Sequence, residues 1–233
     1  MRLDKYLADT GIFTRSEAGG VIRRGRVSVN GVSVHDPSAH IDESTASVAV
    51  DNQVIGYKKF RYIMLNKPSG TVSTTEDNEK SVMKLLPDEF SKMDMFPCGR
   101  LDIDTVGLLI ITNDGQTAHA LLSPKHHCEK MYRFECKSIQ HDAVIHLEKG
   151  IRLNDFTSKP CRVEMDGDNR GTITVTEGKF HQIKRMFHAV GSEILSLERV
   201  SFAGIPLDEA LARGKYRELT DSEVASLITA ANN

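Results

Sequence analysis

The stretch of sequence that decides the fold lies at residues 99–111 and reads Gly-Arg-Leu-Asp-Ile-Asp-Thr-Val-Gly-Leu-Leu-Ile-Ile. Two glycines bracket a polar loop, ahead of an unbroken apolar run, and this loop carries Arg100, Asp102, Asp104 and Thr105. The apolar run is typical of a buried strand, and Asn-Asp-Gly after it predicts a turn. A loop fixed by a buried strand but open to a ligand can present a reactive carboxylate. Asp102 is therefore the first candidate for chemistry, although a lone aspartate between glycines is more often a turn residue.

The composition is that of an ordinary soluble protein, with 39% hydrophobic and 27% charged residues in a chain of 233. This length predicts one large domain, or one large domain and a small one. No apolar run approaches the ~20 residues that cross a membrane, and the first residues lack the apolar core of a signal peptide. The four cysteines contain no Cys-x-x-Cys pair, which argues against a zinc ribbon and a disulfide framework. We expect a cytoplasmic protein.

Positive charge is concentrated at the front of the chain. The formal net charge of the whole chain is only −2, so it is not a general polycation that coats nucleic acid. Residues 1–34, however, hold six basic and three acidic side chains. A local patch of this kind is sufficient to attract RNA.

The same residues predict a small module of two helices and a hairpin. Leu3 and Leu7 have helical spacing, Thr14-Arg15-Ser16-Glu17 is a capping box that starts a second helix, and Asn30-Gly31 is centred in an alternating stretch typical of a hairpin. The module resembles the S4 RNA-binding domain, whose pattern begins Arg-Leu-Asp-Lys-Tyr-Leu and ends in Val-x-Val-Asn-Gly. With a short strand near 47–50, the predicted domain spans residues 1–58.

The S4 resemblance implies that arginines of this module contact RNA. A guanidinium group can donate two parallel hydrogen bonds to a phosphate, which suits it to this role. The alternative is an ordinary solvated helix end. The candidate RNA-binding residues are Arg15, Arg23, Arg24 and Arg26.

From residue 60 onward, predicted strands outnumber helices. The strands are predicted at 60–65, 108–111, 132–136, 161–165, 171–176 and 194–202. The helices are predicted at 81–86, 116–122, 141–149 and 183–190, with a last helix starting from a capping box at Thr220–Glu223. The fold class is therefore α+β, with a mostly antiparallel or mixed sheet flanked by helices, in a domain at 60–233.

Three motifs of this second domain resemble those of the pseudouridine synthases of the ribosomal small-subunit type. Gly-Arg-Leu-Asp-x-x-Thr-x-Gly-Leu-Leu is the signature loop of that family, and Asn-Lys-Pro-x-Gly at 66–70 opens its catalytic domain. Gly-x-x-His-Gln-Ile-Lys at 178–184 matches its basic segment. The segment 123–130 resembles the 16S rRNA enzyme more than its large-subunit relatives. The resemblance implies U516 of 16S rRNA as the target, a small-subunit assembly intermediate as the partner, and a monomer.

The resemblance also implies a role for each catalytic residue. Asp102 is the catalytic carboxylate, and a basic side chain pairs with it. Lys184 stands at that basic position, with Arg185 as the second candidate. Tyr132, on the strand after the catalytic loop, packs on the uracil, and its hydroxyl helps to remove the C5 proton.

Two further residues are expected to contact the RNA. Arg100 holds a phosphate or fills the gap left by the target base, which must leave its stack to reach the carboxylate. Gln182 belongs to the same basic segment as Lys184. Met131 departs from the family pattern, in which a small polar residue is usual beside Tyr132.

The implied reaction breaks the N1–C1′ bond of uridine and rejoins the uracil through C5. It needs no redox change and no energy input, so we expect no cofactor, and the chain carries no nucleotide-binding or metal motif. It does need an ionised carboxylate beside the ribose, as a nucleophile or as a base. A nearby cation must keep this carboxylate charged in a water-poor pocket.

Other interpretations remain open. The chain could be a 23S rRNA synthase of the same family or a non-catalytic S4-domain RNA-binding or assembly protein, whereas a glycosidase is disfavoured by the basic module. Asp104 is expected to be structural, and His181 and His188 are expected to lie on a helix surface. Adjacent residues such as those of His126-His127-Cys128 make a poor metal chelate.

Overall fold

The computed structural model describes residues 1–76 and 78–232. They form two compact units. The first contains Met1–Arg61 together with Leu86–Met95, and the second contains Tyr62–Leu85 together with the chain from Phe96 onward. Leu86–Met95 thus joins the first unit, although it lies inside the predicted second domain. The limits 1–58 and 60–233 stay a prediction.

The first unit has the predicted order of two helices and a hairpin. Thr14 and Glu17 form both hydrogen bonds of the capping box, and Asn30 and Gly31 have the positive φ angles, 51° and 81°, that a tight hairpin turn requires. The strands form an antiparallel sheet in the order β2-β1-β3-β4, and β4 was missed because its residues resemble a turn. The elements are α1 (Leu3–Asp9), α2 (Arg15–Arg23), β1 (Val27–Val29), β2 (Val32–Val34), β3 (Val48–Val50), β4 (Gln53–Val54) and α3 (Asp88–Ser91).

The second unit is built around one mixed sheet with helices. Its strands are β5 (Tyr62–Lys67), β6 (Phe96–Pro97), β7 (Val106–Thr112), β8 (Lys130–Cys136), β9 (Arg162–Met165), β10 (Arg170–Val175), β11 (Ile194–Phe202), β12 (Ile205–Pro206) and β13 (Tyr216–Glu218). Its helices are α4 (Gly115–Leu122), α5 (His141–Lys149), α6 (Gln182–Ala189) and α7 (Asp221–Asn232), with a short 3₁₀ helix at Val82–Leu85.

The main path of the sheet runs β13-β5-β7-β11-β8-β10-β9. β7 and β11 are parallel, whereas the other pairings are antiparallel. β6 pairs with β7 and β12 pairs with β11. This architecture confirms the predicted α+β class with a mixed sheet.

The middle of the sheet positions the polar loop. Gly107, the second residue of β7, lies opposite Lys67 of β5 on one side and Arg199 of β11 on the other. At Gly107, φ is 100°, and a Cβ would come 2.3 Å from the carbonyl oxygen of Arg199. The second glycine of the signature loop is therefore required by the close approach of two strands.

Buried side chains cover both faces of the central strands. Met64, Leu108 and Ile110 belong to a cluster packed by α4 and α7. Phe134 of β8 meets Phe187 of α6 edge to face, with ring centroids 4.8 Å apart. No helix in the described ranges has the length and apolar character that a membrane crossing requires.

Two local predictions need correction. β5 was expected to end at Leu65, but it continues through Asn66 and Lys67, and both polar side chains are buried. Asn66 Nδ2 donates to the carbonyl of Leu211 at 2.6 Å, which offsets its burial. The turn after β7 also serves as a cap, because Asp114 accepts from the backbone N–H of Thr117 at 3.1 Å and starts α4.

Candidate active site

The loop before β7 is anchored from beneath by a buried lysine. The ammonium group of Lys67, which has no exposed surface, donates to backbone carbonyls of the loop and of its own turn. The acceptors are the oxygens of Thr105 at 2.9 Å, Asp102 at 3.0 Å, Pro68 at 3.2 Å and Ile103 at 3.4 Å. Burial lowers the pKa of Lys67 to about 8. The sequence analysis named the Asn-Lys-Pro-x-Gly motif but missed the anchoring role of Lys67, although a lysine at the end of an apolar strand was the signal.

Two further contacts fix the loop at its sides. The N–H of Gly70 donates to the carbonyl of Ile103 at 2.7 Å. The hydroxyl of Ser73 donates to the carbonyl of Leu101 and accepts from its N–H, both at 3.2 Å. The backbone around Asp102 is therefore held by hydrogen bonds on several sides, while its carboxylate keeps about a quarter of its surface exposed.

One lysine joins the two carboxylates of the loop. Lys184 Nζ lies 3.1 Å from Asp102 Oδ2 and 2.5 Å from Asp104 Oδ1. Burial lowers the pKa of Lys184, but the hydrogen bonds that its ammonium donates to Asp104 and Asp102 outweigh burial and leave that pKa raised. The hydrogen bond from Lys184 in turn lowers the pKa of Asp104. Asp104, expected to be structural, thus shares the cation that faces Asp102.

The second candidate for the basic position points elsewhere. Arg185 forms an ion pair with Asp155, and its guanidinium lies 5.2 Å from the ring centroid of Phe156. Between the two neighbouring residues, the structure brings Lys184 to Asp102 and holds Arg185 apart from it.

His181 occupies a position that the sequence analysis did not predict. It was expected on the polar surface of α6, but it precedes the helix as its N-terminal cap, with a left-handed φ of 48°. Its Nε2 lies 3.7 Å from Asp102 Oδ1, and its ring stacks on that of Phe180. This prediction was wrong because nothing in a local sequence pattern signals a positive φ at a histidine. His188, by contrast, is exposed on α6 as expected.

A pocket opens beside Asp102 and gathers most of the predicted site residues. Tyr132 of β8 forms part of its wall, and Arg100 is an exposed member of its rim. Thr105 also lines it, and the buried hydroxyl of Thr105 has no hydrogen-bond partner among the described residues. The carboxylate, the tyrosine and Lys184 therefore face one cavity, although they lie far apart along the chain.

Gln182 lines the same pocket with both ends of its amide engaged. Its Nε2 donates to Glu177 Oε1 at 2.7 Å, and its Oε1 accepts from the N–H of Lys179 at 3.0 Å. These bonds fix the turn that leads into α6. Any contact of Gln182 with RNA stays a prediction.

Two buried cations lie under this part of the sheet and were not predicted. Lys130 Nζ donates to the carbonyl of Cys128 at 2.8 Å. Arg199 Nε donates to the carbonyl of Leu108 at 2.7 Å. The guanidinium of Arg199 also lies over the ring of Phe202, 5.0 Å from its centroid. Both side chains are almost fully buried.

The arginines of the first unit differ in their surroundings. Arg23 and Arg24 are exposed at the end of α2. Arg26 forms an ion pair with Asp51, and Arg15 Nε lies 3.8 Å from Asp4 Oδ2. Arg23 and Arg24 are therefore the best placed of the four to meet a phosphate.

The residues His126-His127-Cys128 are used for packing and surface contacts. His127 Nδ1 lies 3.2 Å from Lys159 Nζ, and the Cys128 thiol donates to the carbonyl of Ala230 at 3.6 Å. Within residues 1–76 and 78–232, no group of three or more His, Cys, Asp or Glu side chains is arranged to hold a metal.

Comparison with known proteins gives matches over the whole chain. The family described as RNA pseudouridylate synthase matches residues 61–189, and the S4 domain matches residues 1–46. An uncharacterized RNA pseudouridine synthase of Bacillus subtilis is 43% identical over 231 residues, covering 96% of this chain and 97% of its own. A ribosomal small subunit pseudouridine synthase A of Vibrio cholerae is 41% identical over 230 residues, covering 97% and 99%.

A solved structure agrees with these sequence matches. The crystal structure of a pseudouridylate synthase superimposes with a TM-score of 0.69 at 35% identity, covering 97% of this chain and 99% of the other.

Proposed function

The chain belongs to the RNA pseudouridylate synthase family and carries an S4 domain at its N-terminus, and from that premise we propose that it converts a uridine of 16S ribosomal RNA to pseudouridine with Asp102 as the catalytic carboxylate. The family resemblance found in the sequence is confirmed, and with it the class of enzyme, an isomerase. The target base, the subunit and the roles of individual residues are our proposal.

The observation that carries the proposal is the ion pair between Lys184 and Asp102 inside a pocket walled by Tyr132. A carboxylate in a partly dry site tends to become neutral unless a cation favours its charged form. Lys184 supplies that cation at 3.1 Å. The positive charge of Lys184 thus lies beside the carboxylate at the place where a ribose would enter.

The proposed steps use only groups that line this pocket. Asp102 acts at the ribose while the N1–C1′ bond breaks: as a nucleophile it bonds to C1′ and is displaced when C5 attacks, or as a base it takes a proton from the ribose and returns it after C5 has bonded. The freed uracil turns, C5 bonds to C1′, and the proton lost from C5 is balanced by one gained at N1. The ring of Tyr132 packs on the uracil, and its hydroxyl relays the C5 proton.

The choice of the small subunit rests on the relatives and on the first unit. The Vibrio cholerae relative is named for the ribosomal small subunit, and residues 123–130 resemble the 16S enzyme. Arg23 and Arg24, exposed on α2, would neutralise phosphates of the same RNA. We propose U516 as the target, a small-subunit assembly intermediate as the substrate, and a cytoplasmic monomer as the acting form.

The experiment maps pseudouridine by carbodiimide and primer extension in both large rRNAs. Cells lacking the protein are rescued with wild type, with Asp102→Asn, or with the control Asp155→Asn, whose carboxylate pairs with Arg185 outside the pocket. We expect one stop to be lost from 16S rRNA and restored by wild type and Asp155→Asn alone.

The other outcomes separate the alternatives. A stop lost from 23S rRNA would keep the chemistry and refute the proposed subunit. Full rescue by Asp102→Asn would remove Asp102 from the mechanism. The absence of any lost stop would favour an RNA-binding or assembly role.

A further inference from the structure

A stacked pair of rings stands at the edge of the candidate active site. Phe180 is the most exposed large hydrophobic side chain of residues 1–76 and 78–232, with 71% of its surface accessible. One face of its ring is covered by His181, at a centroid distance of 3.8 Å and an interplanar angle of 18°. The opposite face of the Phe180 ring is therefore free to contact a ligand.

The backbone holds the pair in an uncommon conformation. His181 has a φ of 48°, which residues other than glycine adopt rarely. In this conformation the imidazole stacks on the Phe180 ring, and its Nε2 lies 3.7 Å from Oδ1 of Asp102. Strained positions of this kind cluster at active sites and ligand-binding segments. The exposed ring is thus fixed at a short distance from the carboxylate.

The pair lines a groove that continues from the catalytic pocket. The groove has a volume of about 900 Å³, and Arg100, Asp102 and His181 belong to its wall and to that of the pocket. Ile103, half exposed, contributes a second apolar surface. The groove is large enough for a nucleotide beside the one that enters the pocket.

The groove presents exposed cations beside its apolar surface. Arg100 and Lys179 are exposed in its wall, where they can meet phosphates, and among the described residues its carboxylates are Asp102, which Lys184 pairs, and Glu76. Isolated aromatic rings flanked by cations are the usual platform for unpaired bases, because every base has a flat π face.

We propose that the Phe180–His181 stack is a platform for an unpaired base that adjoins the target uridine in the RNA. This inference rests on the proposed function and adds a second nucleotide to it. The neighbouring base stacks on the free face of Phe180 while the target base occupies the pocket. The Phe180–His181 stack thereby keeps the neighbouring RNA base in place after the target base has left the base stack.

The test uses full-length protein and a stem–loop of 16S rRNA that contains U516, with 2-aminopurine in place of either neighbouring base. Binding and quenching are measured in the Asp102→Asn background, so that they do not depend on turnover. Phe180→Ala is compared with Phe180→Tyr, which restores a ring, and with Leu195→Ala, which removes a 60% exposed side chain outside the groove.

We expect Phe180→Ala to weaken binding about 5- to 150-fold, the range that loss of one base–aromatic stack produces. It should also abolish the quenching of one 2-aminopurine. Phe180→Tyr should keep both within about 2-fold of the parent, as should Leu195→Ala. Affinity and quenching that survive in Phe180→Ala would overturn the proposal. So would a fall in the single-turnover rate of Phe180→Ala, made with Asp102 intact, while the affinity stays unchanged; Phe180 would then be only a support for His181.

Failure of the proposed function gives a different result. If wild type forms no pseudouridine in this RNA while Phe180→Ala still loses quenching, the platform stands and the proposed chemistry fails. If wild type modifies the RNA and Phe180→Ala quenches normally, the chemistry stands and the platform fails.

Discussion

Replacing Lys67 with methionine tests whether the catalytic loop depends on its buried anchor. Methionine keeps the length and apolar stem of the side chain but removes the ammonium that donates to the carbonyls of Thr105, Asp102 and Pro68. The loop would keep its sequence and its carboxylate. Only the support beneath it would change.

The structure sets the size of the expected effect. A pKa of about 8 in place of 10.5 means that keeping Lys67 charged at neutral pH costs roughly 3 kcal/mol. Hydrogen bonds from a charged donor contribute about 1.5–3 kcal/mol each, and an ammonium group has three protons. Lys67→Met removes this cost of burying a charge, but it leaves the three carbonyl oxygens beneath the loop without their donor, at about 1–3 kcal/mol for each buried group. The free energy of unfolding should therefore fall by up to about 6 kcal/mol. A shift of the loop by even 1 Å can cost about 100-fold in rate, so the activity should fall further than stability alone predicts.

The pH dependence has a definite sign. Between about pH 8 and 10.5 the unfolded chain keeps the proton of Lys67 while the folded protein loses it. The unfolded state then binds more protons, and stability rises with pH. The free energy of unfolding of wild type should therefore rise relative to Lys67→Met across this window, by up to roughly 3 kcal/mol.

Urea unfolding at several pH values and single-turnover kinetics on the RNA check these expectations. Lys130→Met is the matched control, because Lys130 is a buried lysine that donates to the carbonyl of Cys128, outside the loop. It should lose stability but keep most of its turnover. Normal turnover in Lys67→Met, or an equal loss in both variants, would refute the reasoning.

Two more predictions follow from the charges. Asp104→Asn removes one of the two carboxylates that raise the pKa of Lys184. The alkaline limb of the single-turnover pH profile should therefore move to lower pH. A profile identical to that of wild type would show that Asp104 does not act through Lys184. Arg23→Gln and Arg24→Gln should each reduce the slope of log affinity against log salt by about 0.7–1. The slopes are measured by fluorescence anisotropy with labelled RNA. Unchanged slopes would show that the end of α2 does not contact phosphate.

The elements that the sequence predicts well are those with strong local signals. β11 has the predicted limits, and both capping boxes form. β8 alternates between buried and exposed positions as its sequence requires. In each case the local pattern and the final fold agree, so short-range reasoning is sufficient.

The elements that it misses exist because of distant partners. β13 is only three residues long, too short for a periodic pattern, and it forms because it pairs with the edge of β5. β6 and β12 are two-residue strands that depend on β7 and β11 in the same way. The anchoring role of Lys67 has a similar cause, since three of its acceptors lie more than thirty positions away.

The choice between Lys184 and Arg185 shows where sequence reasoning must stop. Successive residues of a helix point about 100° apart, so two adjacent basic residues flank the apolar face on opposite sides. Both are compatible with the buried face of α6, which includes Ile183, Met186 and Phe187. Which of the two side chains faces the catalytic loop depends on the direction in which the chain leads into α6. The left-handed backbone of His181, the residue before the helix, sets that direction. The same backbone angle thus turns Lys184 toward Asp102, leaves Arg185 to Asp155, and sets the ring of Phe180 at the mouth of the groove.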